Sequence, residues 1–378
     1  MTIEEEKKMR FYDEIKKYPW ESVRQEIENR SRIDVERALA ASPLRLEDFT
    51  SFLSPSAEPY LEDIAQRAHR LTQQRFGRVI GLFAPLYLSN VCINSCVYCG
   101  FNAHNPAERL TLTVDQAAEE GKYLHNLGFR HLLLVSGEAP HTVTVEYLAS
   151  VLERLRPLFS SISIEIYPME TADYKTLIHH GVDGLVIYQE TYDEKRYKEV
   201  HPDGKKRDYP WRLETPERGG QAGFRRIGIG ALLGLNDWRT EGFFLALHAR
   251  RLLRTFWKSH ITISFPRLRP ASGGYQPPSP VSDIHMVQLL TALRLFLPDA
   301  GIVLSTRESP QLRNHLIPLG ITSMSAGSRT EPGGYANATH AEAQFEIADD
   351  RSPQAVADII RQKGYEPVWK DWDAAFLH

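Results

Sequence analysis

The sequence predicts an α/β fold, a closed (β/α)₈ barrel with a helical extension before it and a capping segment after it. After residue 77, eight short apolar runs alternate with amphipathic stretches of helical spacing. The runs are apolar almost throughout, which is typical of parallel strands that are buried on both faces. The chain has 378 residues, enough for one barrel of about 250 residues with additions. An open, doubly wound sheet is the alternative.

Residues 1–77 form the predicted helical extension. In its last helix, apolar residues repeat at helical spacing, at Leu61, Ile64, Ala65, Ala68 and Leu71. We expect Ser56 to cap this helix and Gly77 to end it. Two shorter helices are predicted around Trp20–Glu28 and Asp34–Ala41.

Residues 78–326 hold the predicted barrel. The eight strand-type runs begin at residues 79, 131, 162, 183, 226, 261, 302 and 321. The helical patterns between them cover residues 114–127, 143–156, 171–180, 193–200, 241–256, 282–296 and 309–316. The polar stretch 201–221 is long for a strand-to-helix loop, so we expect it on the active face or as a short inserted helix.

Residues 327–378 follow the last strand, and a final helix is predicted at Pro353–Lys363. The first part of this segment, 327–345, is rich in glycine and other small residues. We expect it to fold over the mouth of the barrel as a cap that keeps out water.

Composition and charge narrow the classes of function. Lys plus Arg is 45 and Asp plus Glu is 48, a net charge of −3, and 42% of the residues are hydrophobic. These values exclude disordered and collagen-like chains. No apolar run reaches the ~18 residues of a membrane span, and the first twenty residues lack an apolar leader. We expect a cytoplasmic protein with no membrane or nucleic-acid partner, and we interpret the basic stretch 204-GKKRDYPWR as a solvated or ligand-facing loop.

The cysteines are the strongest signal of chemistry. The chain has three, Cys92, Cys96 and Cys99, in the window CINSCVYC just after the first strand. On a barrel that is the mouth, where active sites are built. Thiolates in C-x₃-C-x₂-C spacing suit three corners of an iron–sulfur cluster, and without a fourth cysteine one iron stays open. A zinc site with His104 and a set of buried, unligated cysteines are the alternatives.

With Tyr98 before the third cysteine, this loop resembles that of the radical S-adenosylmethionine (SAM) family. The resemblance implies a (β/α)₈ TIM barrel that binds one [4Fe-4S] cluster through the three cysteines and SAM on the open iron. An electron from the cluster then cleaves SAM to methionine and a 5′-deoxyadenosyl radical. Tyr98 is expected near the adenine. Gly137 and Glu138 follow the second strand and resemble the family's glycine-rich motif for the SAM amino group.

Over almost its whole length the chain resembles the 2-iminoacetate synthases, the tyrosine lyases of thiamine biosynthesis. The segments that carry this resemblance are 84-APLYLSNVCINSCVYCGF, 187-IYQETY, 211-WRLETPER, 264-SFPRLRP, 303-VLSTRES and 333-GGYA. The resemblance implies that the radical removes hydrogen from the amino nitrogen of L-tyrosine. The Cα–Cβ bond then breaks to give 2-iminoacetate (dehydroglycine) and p-cresol. A thiazole synthase is the expected partner for the imine, and a flavodoxin- or ferredoxin-type protein is the expected electron donor.

Three related functions must be separated. The tyrosine lyase of hydrogenase maturation carries a second cluster on further cysteines, and this chain has none beyond position 99. Without further cysteines this chain cannot bind such a second cluster by cysteine ligation, which argues against production of CO and cyanide. A tryptophan lyase with the same core motif stays open as an alternative, as does a non-catalytic, metal-binding partner of thiazole synthase.

The substrate needs a partner for its carboxylate, and the planar fork of an arginine suits two oxygens. Arg307, at the end of the seventh strand, is our candidate, with an ion pair to Glu308 as the alternative. Ser323 and Ser325 lie two apart on the eighth strand and can face the same side, so we expect them to receive the amino group.

SAM needs partners for its ribose and carboxylate. Glu165 is a charged residue within an apolar strand, which is costly unless it is paired, so it is a candidate for the ribose hydroxyls or for an interior ion pair. Arg212 is a candidate for the SAM carboxylate, with a solvated loop charge as the alternative. Gln189 and Glu190 end the fourth strand and can support either ligand. The tyrosines at strand ends, Tyr87 and Tyr188, are expected to fill the barrel.

Overall fold

Eight parallel strands close a barrel in the computed structural model, which describes residues 10–337, 341–371 and 373. The strands are β1 (Val79–Ser89), β2 (His131–Ser136), β3 (Ser161–Glu165), β4 (Gly184–Glu190), β5 (Arg226–Ala231), β6 (His260–Ser264), β7 (Gly301–Leu304) and β8 (Ser323–Ser325). Each strand pairs with the next in the chain, and β1 pairs with β2 from Ala84 and with β8 from Gly81. Because β1 has a partner on both edges, the sheet is closed, so the barrel is confirmed and the open sheet is wrong.

Helices precede the barrel, as expected, although residues 1–9 of the predicted extension lie outside the described part. They are α1 (Phe11–Ile15), α2 (Trp20–Glu28), α3 (Arg32–Ala40), α4 (Leu46–Leu53) and α5 (Leu61–Phe76). Helix α3 begins two residues before its predicted start because Ser31 caps it, with its side chain accepting the N–H of Asp34. Helix α4 was not predicted; it is only eight residues long and buries Asp48 and Ser51 as well as its apolar residues.

The expectation that Ser56 caps α5 is wrong. Ser56 lies within a short 3₁₀ helix, Pro55–Tyr60, that leads directly into α5. Its hydroxyl donates instead to the backbone carbonyl of Arg30, at 2.8 Å. The serine therefore ties the turn to the loop between α2 and α3.

The helices that cover the barrel follow the predicted pattern. They are α6 (Val114–Asn126), α7 (Val145–Leu155), α8 (Thr171–His179), α9 (Glu194–Val200), α10 (Tyr209–Leu213), α11 (Thr215–Ala222), α12 (Trp238–Thr255), α13 (Asp283–Phe296) and α14 (Pro310–Leu316). The long polar stretch after α9 contains a 3₁₀ turn, Lys205–Arg207, and then α10 and α11. The expectation of inserted helices there is confirmed. No helix among the described residues is both long and apolar enough to cross a membrane.

The C-terminal segment reaches both ends of the barrel. Residues 341–349 lie at the mouth, where the N–H of Gly100 donates to the carbonyl of Gln344 at 2.9 Å. The chain then forms α15 (Pro353–Gln362) and β9 (Glu366–Val368), which pairs with the first residues of β1. Beyond β9, Asp371 contacts Nε2 of His131 at 2.7 Å, at the opposite end of the barrel from the mouth.

A cavity of about 230 Å³ lies inside the barrel. Glu165, Tyr188 and Ser264 line it towards the carboxyl ends of the strands, and His131 and Asp371 line it at the other end. The wall is otherwise mainly apolar. The carboxyl ends of the strands thus open onto a space inside the barrel that is large enough for part of a small ligand.

Candidate active site at the mouth of the barrel

The cysteine loop leaves the carboxyl end of β1 and is held in a compact curl by one arginine. The guanidinium of Arg109 donates to four backbone carbonyls of this loop, those of Asn90, Phe101, Asn102 and Asn105, over distances of 2.6–3.2 Å. These carbonyls lie on both sides of the three cysteines. A single side chain therefore closes the loop on itself and brings its two ends together.

Asn94, between the first two cysteines, joins this loop to two other elements. Its Nδ2 donates to Oε2 of Glu138 at 2.7 Å, and its Oδ1 accepts the N–H of Lys206 at 2.9 Å. Nδ2 also lies 3.8 Å from Sγ of Cys92. The position of the loop thus depends on the turn after β2 and on the insertion after α9. Glu138, expected at the SAM amino group, supports the cysteine loop in this structure.

Gly137 provides clearance for the loop. A Cβ atom at this position would lie 2.3 Å from the carbonyl oxygen of Val91 and 3.0 Å from Cβ of Cys92. No side chain fits there without moving the backbone that carries the first cysteine. The glycine of the Ser-Gly-Glu sequence is therefore required by the packing of the loop, whatever ligand binds beside it.

We expect Gly137→Ala to displace the loop and to reduce cluster binding. The added Cβ meets backbone atoms that cannot rotate away, so we expect a loss of about 1–3 kcal/mol in the free energy of unfolding and a lower iron content after reconstitution. Gly81→Ala is the matched control, because its Cβ would meet Ser323 at an ordinary 3.6 Å. Iron analysis and thermal unfolding check both variants, and full iron in Gly137→Ala would contradict this role.

The three thiols are close enough to affect one another. Burial, and then the charges of neighbouring groups that include the other two cysteines, raises the pKa of Cys96 to about 12. Burial and Cys92 raise the pKa of Cys99 to about 11. Buried thiols that resist ionisation need a strongly positive partner to become thiolates, and the irons of a cluster supply that charge. The donor set fits a cluster held at three corners.

The zinc alternative is not supported by this arrangement. His104 is exposed, and in the described ranges no three His, Cys, Asp or Glu side chains converge on a point that would hold a metal ion. A cluster differs from a single ion because its ligands bind separate corners and need not converge.

Tyr98 is fixed by a histidine. Its hydroxyl lies 2.7 Å from Nε2 of His201, and Nδ1 of His201 lies 2.8 Å from the carbonyl of Tyr197. Burial lowers the pKa of His201 well below its usual value, so the ring is neutral. Nδ1 then carries the proton and Nε2 accepts from Tyr98. The ring of Tyr98, which is predicted to lie near the adenine, is therefore held in one orientation within the cysteine loop.

Three charged groups lie together beyond the end of β4. Nζ of Lys206 lies 2.7 Å from Oε1 of Glu190, and a terminal nitrogen of Arg212 lies 3.6 Å from the same oxygen. Nε of Arg212 donates to the carbonyl of Tyr188 at 2.7 Å. Burial alone would raise the pKa of Glu190, but Lys206 and Arg212 hold it below its usual value. Arg212 is buried, so the alternative of a solvated loop charge is wrong.

Gln189 has side-chain polar atoms without a partner among the described residues, and the carboxyl group of Glu165 faces the barrel cavity. Burial, together with the charge of Glu190, raises the pKa of Glu165 to about 7. Glu165 faces the barrel cavity and forms no ion pair with any described residue, so the interior ion pair is not observed. Both amide atoms of Gln189 are buried and unpaired within the described chain. Such atoms normally have partners, which is consistent with a ligand that completes them.

Arg307 is available for a ligand. Its guanidinium carbon lies 3.3 Å from the ring centre of Phe345. The alternative partner, Glu308, is engaged instead by Nε of Arg267 at 2.9 Å, so an Arg307–Glu308 pair is not formed. No salt bridge links Arg307 to another residue in the described ranges. Its charge also opposes the raised pKa of Glu165, which places the two side chains in the same region.

The two candidate serines of β8 have different surroundings. Ser323 lines the barrel cavity, beside Gly81 of β1. Ser325 is buried, and its Oγ accepts the N–H of Thr306 at 3.2 Å. Thr306 directly precedes Arg307 in the chain, so this contact brings Ser325 close to the backbone beside Arg307. Their expected role towards the substrate amino group stays a prediction.

Two functional candidates in the C-terminal segment were missed from the sequence. Gln344 accepts the hydroxyl of Tyr87 through Oε1 at 2.8 Å, and Phe345 stacks on Arg307. Earlier in the same C-terminal segment, the three successive backbone N–H groups of residues 335–337 donate to the carboxylate of Glu120, in α6. These contacts support the predicted fold of the segment over the mouth, although residues 338–340 lie outside the described part. The signal available was one amide and one aromatic at the end of a run of small residues.

Comparison with known proteins agrees with this site. The model of the radical SAM superfamily matches residues 86–247, and that of the Biotin and Thiamin Synthesis associated domain matches residues 264–366. The 2-iminoacetate synthase of Escherichia coli (strain K12) is 46% identical over 96% of this chain and 97% of its own length. That of Salmonella typhimurium is 45% identical over the same shares.

Solved structures show the same fold. The [FeFe]-hydrogenase maturase HydG superimposes with a TM-score of 0.87 at 31% identity, covering 94% of this chain and 83% of that one. HydG from Carboxydothermus hydrogenoformans gives 0.83 at 33% identity, covering 97% and 83%. On the near-full-length match to the curated relatives, the chain belongs to the 2-iminoacetate synthase family, radical SAM carbon–carbon lyases of thiamine biosynthesis.

Proposed function

We propose that this chain cleaves the Cα–Cβ bond of L-tyrosine to 2-iminoacetate and p-cresol, for the thiazole part of thiamine. The observation that carries the proposal is the 46% identity to a curated 2-iminoacetate synthase over nearly the whole of both chains. The loop with three thiols and no fourth cysteine supports it independently.

The cluster ligands in this proposal are Cys92, Cys96 and Cys99. When bound, the cluster and SAM supply a carbon radical that removes a hydrogen atom from the substrate. The groups proposed to orient SAM are Tyr98, Gly137, Glu138, Glu165, Gln189 and Arg212. Arg212 is a buried cation that suits the SAM carboxylate, and the unpaired amide of Gln189 and carboxyl of Glu165 suit hydroxyl or amino donors.

Tyrosine is proposed to bind with its carboxylate on Arg307. The ring of Phe345 holds the guanidinium from one face and leaves its N–H groups for the ligand. Ser323 and Ser325 are proposed for the amino group. Glu165 lies in the same region and, with a pKa near 7, can hold or release a proton under working conditions.

The mouth is proposed to be closed by the C-terminal segment. Gln344 bridges the backbone of Gly100, in the cysteine loop, and the hydroxyl of Tyr87. A Cβ at Gly100 would lie 2.2 Å from the carbonyl oxygen of Ala343, so the loop and the segment are in close contact. Close packing of this kind excludes water, which protects reactive species from side reactions.

Two protein partners are part of the proposal. An imine hydrolyses in water, so a thiazole synthase that takes it up directly is the expected recipient. The electron is proposed to come from a flavodoxin- or ferredoxin-type donor, which must approach the cysteine loop. Ile93 in that loop is 43% exposed, so part of the loop faces solvent and is accessible to a donor.

The test is an anaerobic assay of the reconstituted protein with SAM, a reductant and one amino acid at a time. We expect 5′-deoxyadenosine and p-cresol with tyrosine and no cleavage product with tryptophan. Cleavage of tryptophan alone would establish the alternative lyase. Absence of both products with tyrosine, in protein that holds its cluster, would refute the proposal. One zinc and no iron by metal analysis would favour a non-catalytic, metal-binding partner of thiazole synthase.

A further inference from the structure

The basic stretch after Gly204 contains a lysine that is not solvated. The side chain of Lys206 is only 13% exposed, and its ammonium lies 2.7 Å from Oε1 of Glu190. Its neighbours Lys205 and Arg207 are exposed. Burying an ammonium and a carboxylate is costly even when they are paired, so the presence of this pair in the interior needs an explanation.

The backbone of Lys206 is bonded to the cysteine loop. Its N–H donates to Oδ1 of Asn94 at 2.9 Å, and the same asparagine lies 3.8 Å from Sγ of Cys92. Gly204 makes this approach possible, because its φ of +91° and the atoms of Asn94 around it leave no room for a side chain. The insertion therefore holds Lys206 directly against the cysteine loop, because Gly204 allows the two backbones to pack closely.

The ammonium of Lys206 also lies near the cysteine loop. It lies 5.6 Å from the ring centre of Tyr98, which stands between Cys96 and Cys99 in the sequence. Lys206 thus contacts the cysteine loop through its backbone N–H and approaches the loop through its ammonium, while Glu190, at the end of β4, pairs with that ammonium.

The backbone at Glu190 is strained. Its φ is +72°, and it is the one non-glycine residue with a positive φ in the part of the chain that the structure describes. Such a conformation is unfavourable for a residue with a side chain and persists where the surroundings impose it. Here β4 departs from regular pairing between Tyr188 and Glu190, and the carbonyl of Glu190 accepts the N–H of Leu232 at 2.7 Å. The residue in this conformation is the one whose carboxylate pairs with Lys206.

We propose that the Lys206–Glu190 pair tunes the reduction potential of the cluster, with the buried ammonium stabilising the added electron and the carboxylate limiting that effect. Reduction adds one negative charge to the cluster, and a nearby positive charge in a medium of low dielectric favours the charged product. The electron comes from the donor protein and no bond is made or broken. The inference rests on the proposed function only in requiring that the three cysteines bind a cluster.

The test is a redox titration, followed by electron paramagnetic resonance, of reconstituted protein without SAM or tyrosine. We expect Lys206→Met to move the midpoint to a more negative potential and Glu190→Gln to move it to a more positive one. Shifts of opposite sign are what two opposite charges produce, whereas a general loosening of the site would not give them. Lys205→Met is the matched control, since Lys205 is the exposed neighbour, and its midpoint should equal that of the wild type.

Three results would overturn the inference. One is a Lys206→Met midpoint equal to that of Lys205→Met at full iron content. Another is a shift in the same direction for both members of the pair. If Lys206→Met takes up no cluster, Lys206→Arg must restore both the iron and the wild-type midpoint, and its failure to do so also overturns the inference. Failure of the wild type to bind a cluster would instead refute the proposed function.

Discussion

Replacement of Cys96 by serine is expected to abolish both cluster binding and all formation of 5′-deoxyadenosine and p-cresol. Cys96 is the middle one of the three proposed ligands and the most buried of them. A hydroxyl is a far weaker ligand for iron than a thiolate, and the described chain has no spare cysteine to replace it. In the proposed arrangement, loss of Cys96 leaves two thiols, and we expect these to be too few to retain a cluster that already lacks a fourth protein ligand.

The measurement is the iron and sulfide content after anaerobic reconstitution, together with the visible spectrum and product analysis. Ser95→Ala is the control, because Ser95 is the buried neighbour whose hydroxyl donates only to the carbonyl of Asp203 at 3.2 Å. It should lose about 0.5–1.5 kcal/mol in the free energy of unfolding and keep its iron. A Cys96→Ser protein with full iron and normal products would show that this cysteine is not a ligand.

Replacement of Arg307 by alanine is expected to weaken tyrosine binding strongly while iron content and SAM affinity persist. Removing one member of a buried, hydrogen-bonded charge pair costs about 2–4 kcal/mol, which is roughly a 30- to 1,000-fold loss of kcat/KM for tyrosine. The reason for so large an expected effect is that no described carboxylate pairs with this guanidinium, and the proposed function assigns its counter-charge to the substrate carboxylate.

Two companion variants make the test specific. Phe345→Leu keeps the arginine and removes the ring 3.3 Å from it, so we expect an intermediate loss of about 0.5–2 kcal/mol. Arg254→Ala removes an exposed arginine from the last turn of α12 and should change nothing. Steady-state kinetics with tyrosine and direct SAM binding check all three proteins. Unchanged tyrosine affinity in Arg307→Ala would refute the assignment.

The fold could be predicted because its main signals are local. A parallel strand buried on both faces is a continuous apolar run, and 183-DGLVIY shows this as clearly as the observed β4 does. Helix α2 begins and ends where its pattern predicted. By contrast, β9 has three residues and is a strand only because it lies against the start of β1. No short-range pattern distinguishes such a segment from a loop.

The functional site likewise contains some features that a local pattern predicts and others that depend on distant contacts. The cysteine spacing predicts three ligands on one loop, because chain connectivity alone keeps those thiols together. The same chain carries two adjacent lysines after Gly204, and nothing local tells Lys206, which is buried against Glu190, from Lys205, which is exposed. Likewise, the sequence suggested Glu308 as an alternative partner for Arg307, but in the folded chain Glu308 pairs with Arg267.

The sequence by itself determined the strand–helix alternation and the position of the three thiols, since both follow from residue type and spacing over a few residues. The tertiary structure alone decided which charges are buried, which are paired and which stay available for a ligand. Those outcomes depend on contacts between residues far apart in the chain, such as Tyr87 with Gln344. The free energy of a charge depends on what surrounds it, and the surroundings exist only after the barrel has closed.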